Sequence, residues 1–222
     1  MPESLNAVLP GVYYPVFLNL KDRKIVVVGG GKVAERKVFA LLRAGADLTV
    51  ISPEITRKIE RERAKGGIKH IRRQYRKGDL RGTFLVIAAT DSSVINERIS
   101  RDAPYLVNIV DTPHLCNFIV PSVMKRGAMT IAVSTGGISP AFSRAIRKEL
   151  EKLYGSEFSG YLESLSSIRT EALKCIGDRR KRTEFLKSLA SGEMLGILRE
   201  KGCGEAKRRA VDSLKKTKRK GD

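Results

Sequence analysis

The sequence predicts an α/β fold, in which an open, doubly wound, mostly parallel sheet precedes a small α+β segment and a C-terminal helical domain. Three observations support this prediction. Short apolar runs alternate with helical patterns over the first half of the chain, this rhythm changes at Asp111-Thr112-Pro113, and helical patterns dominate from about residue 139. The length of 222 residues, 41% of them apolar, suffices for one full domain and a smaller companion.

The first strand is predicted at Lys24–Gly30 (KIVVVGG), because a continuous β-branched run is typical of a strand buried on both faces. A helix follows, with apolar residues on one stripe and Gly45 as its C-terminal cap. Charged and mixed helical patterns follow at Glu54–Lys65 and Val94–Ala103. Four more strands are predicted at Leu48–Ser52, Ile68–Tyr75, Thr83–Ala89 and Leu106–Val110.

Beyond the change of rhythm, two strands are predicted at Phe118–Val123 and Met129–Ser134, joined by Met124–Ala128. A helix then begins at Ser139-Pro140, since Ser is a good N-cap and Pro suits the first helical position. Further helices are predicted near residues 142–154, 158–175, 183–190 and 194–199. We therefore expect domains at residues 1–112, 113–150 and 151–202, followed by a disordered basic tail at 203–222.

The net charge is +19, from 43 Lys and Arg against 24 Asp and Glu. Such a charge favours an anionic partner, whether nucleic acid, an anionic surface or a polyanionic small molecule. The sequence contains no nucleic-acid-binding motif, and only 6% of its residues are aromatic and able to stack on bases. We therefore expect no nucleic-acid partner.

No stretch approaches the roughly 18 consecutive apolar residues of a membrane span, and residues 1–20 lack the pattern of a secretory signal. The three cysteines, Cys116, Cys175 and Cys203, form no CxxC pair and have no metal-ligand spacing. These features predict a cytoplasmic location, no membrane association and no dedicated metal site.

A glycine-rich turn, Gly29-x-Gly31-x-x-Ala34, follows the first strand and opens a helix within a βαβ unit. Gly29 permits a tight turn, Gly31 lets the backbone approach a pyrophosphate, and Ala34 permits close helix–strand packing. Backbone N–H groups at Lys32 and Val33 and the helix dipole favour an anion there. The pattern predicts a Rossmann-like dinucleotide site, with an ordinary tight turn as the alternative.

The second strand ends at Ser52-Pro53, where such sites usually have an acidic residue that binds the ribose hydroxyls. Glu54 lies one position later and is able to take that role, whereas Arg57 and Lys58 would suit a 2′-phosphate. On balance the sequence favours NAD over NADP.

Asp111 stands at the carboxyl end of the fifth strand, where open α/β sheets bind their ligands. Its carboxylate is either a general base beside the nicotinamide or a turn aspartate ahead of Pro113, and its position does not decide between them. A second glycine turn, Ser134–Pro140, leads into a helix. It suits a carboxylate or phosphate, and a plain capped helix explains it equally well.

Together these motifs closely resemble the precorrin-2 dehydrogenase / sirohydrochlorin ferrochelatase family, which is also the N-terminal half of siroheme synthases. The resemblance covers about residues 13–155. It rests on Gly29–Lys37, Ala88–Asp91 with Asn96, Asn108–Asp111, Phe118–Ser122 and Ser134–Pro140.

The resemblance implies NAD-dependent oxidation of precorrin-2 to sirohydrochlorin in sirohaem and tetrapyrrole biosynthesis, and in some members ferrous iron insertion. It implies that Asp111 is catalytic and that the protein is a homodimer built through residues 113–150. The expected cofactor-binding residues are Gly29, Gly31, Lys32, Val33, Ser52, Pro53, Glu54 and Thr90. The expected substrate-binding residues are Asn117, Thr135, Gly136, Gly137 and Ser139.

A non-catalytic NAD-sensing regulatory module is the alternative reading. Such modules keep the acidic residue after the second strand and have no use for Asp111 or the Phe118–Ser122 segment, so both features count against it.

Overall fold

A computed structural model describes residues 13–219. The chain forms two compact units: one runs to Val120 and includes Gly136–Ile138, and the other comprises Pro121–Thr135 and continues from Ser139. Residues 1–12, which belong to the stretch without a secretory-signal pattern, lie outside the described part, as do residues 220–222 of the predicted tail.

The first unit is built on a five-stranded sheet in the order β3-β2-β1-β4-β5, in which every neighbouring pair is parallel. This confirms the predicted fold class. The strands are β1 Lys24–Val28, β2 Asp47–Ile51, β3 Lys69–Ile71, β4 Leu85–Ala88 and β5 Leu106–Ile109. The helices between them are α1 Lys32–Arg43, α2 Arg57–Ala64 and α3 Ser93–Asp102.

Both faces of this sheet are buried, as the β-branched strand sequences predict. In β1, Ile25 and Val27 pack with Val38 of α1 and Ile59 of α2 on one face. On the other face, alternate strand residues pack with Ile99 of α3. The two faces therefore have separate apolar cores, and the sheet between them is a rigid platform for the turns at its edge.

The carboxyl ends of four strands are level with one another. Val28, Ile51, Ala88 and Ile109 lie in register across β2, β1, β4 and β5. The turns that follow these strands therefore share one edge of the sheet. The order of the strands reverses between β1 and β4, which is where open α/β sheets bind ligands.

The second unit begins with an antiparallel pair, β6 Ser122–Arg126 and β7 Met129–Val133, against which α4 Pro140–Leu153 packs. The predicted positions of the first strand and the turn differ from these. Residues 118–121 are irregular, because Pro121 lacks the N–H that a strand ladder needs. The turn is only Gly127-Ala128, since Gly127, with φ of 56°, permits a two-residue hairpin.

Three helices complete the second unit: α5 Glu157–Cys175, α6 Arg179–Ser188 and α7 Gly192–Arg219. The sequence predicts a disordered tail from residue 203, whereas the structure continues α7 to Arg219, with a break in helical geometry at Gly202. The reason is an apolar stripe of Ala206, Ala210 and Leu214, which is buried against α5 and α6 beneath the basic residues.

None of the helices within residues 13–219 combines the length and apolar character needed to cross a bilayer.

Candidate functional site

A cleft of about 700 Å³ opens at the carboxyl edge of the sheet, around the ends of β1, β2 and β4. Its lining includes all eight residues that the sequence predicts for cofactor binding: Gly29, Gly31, Lys32, Val33, Ser52, Pro53, Glu54 and Thr90. The structure therefore brings together residues that lie up to 61 positions apart in the chain. The size of the cleft is within the range of small-molecule sites.

Each glycine of the first turn has its own steric environment. A Cβ on Gly29 would overlap the carbonyl oxygen of Ala89, and φ of 116° also favours glycine there. A Cβ on Gly30 would overlap the carbonyl oxygen of Glu54 and lie 2.8 Å from Ser52 Oγ. A Cβ on Gly31 would meet no protein atom within 4 Å. Gly29 and Gly30 therefore allow the chain to pack, whereas Gly31 keeps open the space that a pyrophosphate needs.

The N-terminus of α1 faces this open space. Gly31 is the N-cap and provides no side-chain cap, so the first turn of the helix keeps N–H groups for a ligand. These groups and the helix dipole stabilise negative charge. The turn thus fits the diphosphate of a dinucleotide.

The end of β2 forms the side of the cleft where a ribose would lie. Ser52 is buried, and Glu54 is exposed beside it. The N–H of Thr56, the N-cap of α2, donates to the Gly30 carbonyl oxygen at 3.1 Å. This bond holds the start of α2 directly against the glycine turn.

The segment after β3 adds Gln74 and Tyr75 to the wall of the cleft. The Tyr75 hydroxyl donates to Asp102 Oδ2 at 2.7 Å, and burial, reinforced by this bond, raises the pKa of Tyr75 above its ordinary value. Arg73 donates two hydrogen bonds of 2.8 Å to the Asp79 carboxylate, which lowers the pKa of Asp79. Two hydrogen-bonded pairs, Tyr75–Asp102 and Arg73–Asp79, therefore stabilise this wall of the cleft.

The turn between β4 and α3 forms the third side. Thr90 Oγ1 donates to Asn96 Oδ1 at 2.7 Å, and Asn96 Nδ2 donates to the Thr90 carbonyl oxygen at 3.1 Å. Asn96 is buried, so this pair is shielded from water. It sets the course of the backbone through Thr90, Asp91 and Ser92, all of which line the cleft.

Asp111 is exposed and lies outside the lining of the cleft. It follows β5 by two residues, and β5 lies two strands from β1, a separation of about 10 Å at the usual strand spacing. Its φ of 57° is in the left-handed region, which non-glycine residues rarely adopt. Lys37 of α1 interacts electrostatically with Asp111, while burial lowers the pKa of Lys37.

The segment after Asp111 hydrogen-bonds to the outer edge of β5. The N–H of Val107 donates to Asn117 Oδ1 at 2.8 Å, and the N–H of Ile109 donates to Cys116 Sγ at 3.1 Å. Asn117 Nδ2 also donates to the Tyr105 carbonyl oxygen at 2.5 Å. The side chain of Asn117, which is predicted to bind substrate, therefore hydrogen-bonds to backbone groups and stabilises β5, the strand that precedes Asp111.

The second glycine turn includes the remaining predicted substrate residues, Thr135, Gly136, Gly137 and Ser139. Gly136 and Gly137 have φ of 65° and 94°. Thr135 Oγ1 accepts the N–H of Ser139 at 3.0 Å, and Ser139 Oγ accepts the N–H of Phe142 at 3.2 Å as the N-cap of α4. Both hydroxyls thus stabilise the start of α4, which is what a capped helix requires.

Gln74, Tyr75 and Thr56 line the cleft but were not predicted as site residues from the sequence. Asn96 entered the sequence prediction only as part of the family resemblance. The sequence predicts Ile68–Tyr75 as one strand, but β3 ends at Ile71 and the chain turns into the cleft. The turn residues Gly78-Asp79, shortly after Tyr75, were a signal that the chain turns in this region.

Among residues 13–219, no three or more His, Cys, Asp or Glu side chains are grouped as metal ligands.

Comparisons with known proteins agree with this architecture. Residues 16–122 match the family described as putative NAD(P)-binding, and residues 126–153 match the central part of sirohaem biosynthesis proteins.

The siroheme synthase of Methylobacillus flagellatus is 42% identical over 72% of this chain and 35% of its own length. That of Thioalkalivibrio sulfidiphilus is 35% identical over 90% of this chain and 42% of its own length. The chain therefore spans well under half the length of these relatives. Among solved structures, SirC, a precorrin-2 dehydrogenase, has a TM-score of 0.78 at 26% identity, covering 92% of this chain and 100% of its own.

Proposed function

The chain belongs to the siroheme synthase family, as the NAD(P)-binding part of such proteins, and on that premise we propose that it oxidises precorrin-2 to sirohydrochlorin with NAD. The observation that supports this most directly is the geometry of one sheet edge. A glycine turn open at Gly31 and an exposed carboxylate at Asp111 follow strands whose ends lie in register. A dehydrogenase of this kind needs a binding site for its oxidising cofactor and a base at the same edge of the sheet.

The proposed cofactor-binding residues are those that line the cleft. Backbone N–H groups of Lys32 and Val33 bind the diphosphate, and Ser52 and Glu54 bind the ribose hydroxyls. Thr90 positions the nicotinamide end through its turn. When bound there, the cofactor supplies a ring that accepts a hydride.

Asp111 is the proposed catalytic residue. The two-electron oxidation removes one hydride and one proton from the macrocycle, and the Asp111 carboxylate accepts the proton. The left-handed backbone at Asp111 supports this role, because strained conformations at non-glycine residues cluster at functional sites.

The proposed substrate is polyanionic, which the net charge of +19 favours. The start of α4 supports a contact with a substrate carboxylate, since a helix N-terminus stabilises negative charge. We assign this contact to the turn formed by Thr135, Gly136, Gly137 and Ser139. Asn117 acts indirectly, through its bonds to β5.

A homodimer is proposed through residues 113–150. Within this segment, Val123 of β6 and Phe142 of α4 are exposed, as is Leu153 at the end of the same helix. These exposed apolar side chains are available for burial in a dimer interface.

A cytoplasmic location is also proposed. Cys116, Cys175 and Cys203 are all free thiols, as is usual in a reducing compartment.

The test is an anaerobic assay of purified protein with precorrin-2 and NAD, followed by absorbance of the reduced cofactor and of sirohydrochlorin. We expect turnover with wild-type protein and its loss in Asp111→Ala. Asp22→Ala is the matched control, because Asp22 is also an exposed aspartate with a left-handed φ of 58°. Normal turnover by Asp111→Ala would remove Asp111 from the mechanism, and no turnover by wild type would contradict the proposed function. Addition of ferrous ion to the product tests iron insertion in the same experiment.

A further inference from the structure

The end of β2 lacks one backbone bond of the parallel ladder that would hold it. In a parallel pair, the N–H and the carbonyl oxygen of one residue bond to two residues of the neighbouring strand that are two positions apart. The Ser52 N–H donates to the Ile71 carbonyl oxygen at 3.2 Å, so the ladder would pair the Ser52 carbonyl oxygen with the Arg73 N–H. Because the chain turns after β3, the Arg73 N–H donates instead to the Ile71 carbonyl oxygen at 2.9 Å.

A histidine side chain supplies the donor that the backbone does not. His70 Nε2 lies 2.9 Å from the Ser52 carbonyl oxygen. A carbonyl oxygen only accepts hydrogen bonds, so Nε2 carries the proton and donates. His70 is half-buried on β3 and lies outside the lining of the cleft. The bond therefore acts on the cleft through Ser52.

Ser52 is tightly packed where the cleft wall meets the glycine turn. It is only 8% exposed, and it lines the cleft together with Pro53 and Glu54. A Cβ on Gly30 would lie 2.8 Å from Ser52 Oγ, so the serine side chain is adjacent to the turn. A displacement of the Ser52 backbone would therefore move the part of the wall to which the ribose hydroxyls are assigned.

We propose that His70 is a positioning residue for the dinucleotide, because its bond to the Ser52 carbonyl oxygen fixes the ribose-binding end of β2. The inference rests on the proposed function, which assigns Ser52 and Glu54 to the ribose. It adds a residue that touches neither cofactor nor substrate. The neutral ring with its proton on Nε2 and the protonated ring both donate this bond, so no particular charge on His70 is needed.

The experiment is a fluorescence titration of purified variants with NADH, without tetrapyrrole. His70→Leu keeps a similar volume and removes the donor, so we expect the dissociation constant to rise about fivefold, which corresponds to about 1 kcal/mol. His70→Gln places an amide donor where Nε2 lies and should stay within about twofold of wild type. His70→Asn carries the same amide on a side chain that reaches only the position of Nδ1, so it should resemble His70→Leu.

Lys69→Gln is the matched control on the same strand. Lys69 neighbours His70 and forms an exposed ion pair with Asp47 at 3.2 Å. Loss of an exposed pair has little effect on stability, so NADH affinity should equal that of wild type. Unfolding midpoints of all variants are measured alongside. A general loosening of β3 would weaken NADH binding in Lys69→Gln and His70→Gln as well, and would contradict the proposal.

Turnover provides a second readout that a purely structural role would not give. In the assay with precorrin-2 and NAD, His70→Leu should raise KM for NAD about fivefold and leave kcat unchanged. The reason is that the ribose contact is altered while Asp111 is not. A fall in kcat at an unchanged KM for NAD would place the effect of His70 on the chemical step and contradict the proposal.

The inference is overturned if His70→Leu binds NADH as tightly as wild type. It is equally overturned if His70→Gln is weakened as much as His70→Leu. Neither of these results depends on turnover. A chain whose NADH affinity depends on His70 in this way but which does not oxidise precorrin-2 would contradict the proposed function and leave this inference standing.

Discussion

Thr90 and Asn96 exchange two hydrogen bonds across the turn that joins β4 to α3, one through the threonine hydroxyl and one through its carbonyl oxygen. Asn96 is buried and lies outside the lining of the cleft, whereas Thr90 is part of it. A residue that need not touch the ligand therefore sets the shape of the surface that does.

We predict that Asn96→Ala destabilises the fold by about 1–3 kcal/mol, because it removes both hydrogen bonds between the buried Asn96 side chain and Thr90. Cofactor affinity should fall by about tenfold, or about 1.4 kcal/mol. The measurements are chemical denaturation and cofactor titration of Asn96→Ala, Thr90→Val and the double variant. Additive effects of the two substitutions would show that the pair is not coupled.

Gly30 and Gly31 should respond to alanine in opposite ways. Gly30→Ala forces a Cβ onto the Glu54 carbonyl oxygen, so we expect a loss of about 3 kcal/mol of stability. Gly31→Ala meets no protein atom, so its unfolding midpoint should match wild type while dinucleotide binding is lost. Thermal denaturation and cofactor titration of both variants check this. Wild-type cofactor affinity in Gly31→Ala would place the diphosphate elsewhere.

The left-handed backbone at Asp111 should reverse the usual order of stability between alanine and glycine variants. In most positions glycine is less stable than alanine, but with φ of 57° alanine is strained. We expect Asp111→Gly to be more stable than Asp111→Ala by about 1 kcal/mol, with both variants inactive as dehydrogenases. Urea denaturation of the two proteins compares them. A more stable alanine variant would mean that the turn relaxes when the carboxylate is removed.

The Asp79 carboxylate should make the cleft wall sensitive to acid. Its hydrogen bonds from Arg73 and from the Arg76 N–H lower the pKa of Asp79 in the folded state. The stability that it contributes is therefore complete above the unfolded pKa of about 3.9 and is lost as the pH falls through the lower folded value. The difference in melting temperature between wild type and Asp79→Asn should be present at neutral pH and shrink below about pH 4. A difference independent of pH would rule out this linkage.

Phe142 provides a test of the proposed homodimer. Its side chain is 59% exposed, so Phe142→Glu should fold normally but dissociate a dimer that buries this residue. Leu173→Glu, at a residue 53% exposed on α5, is the matched control and should leave the mass in solution unchanged. Light scattering coupled to gel filtration measures both. A wild-type protein that is monomeric at all concentrations would contradict the dimer.

The parts of the fold that follow from local pattern are predictable from the sequence. β1 and α1 have a continuous apolar run and a helical stripe. The structure has β1 within two residues of its predicted bounds and α1 directly after the glycine turn. The Gly29-x-Gly31-x-x-Ala34 spacing after a strand predicts the turn from the sequence alone, whereas the contacts that require glycine at Gly29 appear only in the structure.

Features that depend on tertiary contacts are harder to predict from the sequence. The helix beyond residue 203 looks like a charged tail, because its stripe of Ala206, Ala210 and Leu214 is sparse and becomes informative only once α5 and α6 are present to cover it.

The way in which β5 ends the sheet has a consequence for the behaviour of the protein at high concentration. An edge strand with free N–H groups is a template on which a strand of another molecule can assemble, and it is a common origin of aggregates. On β5 the donors of Val107 and Ile109 are already bonded to Asn117 and Cys116. These two side chains thus protect the edge against self-association, and alkylation of the Cys116 thiol would perturb the bond that covers Ile109.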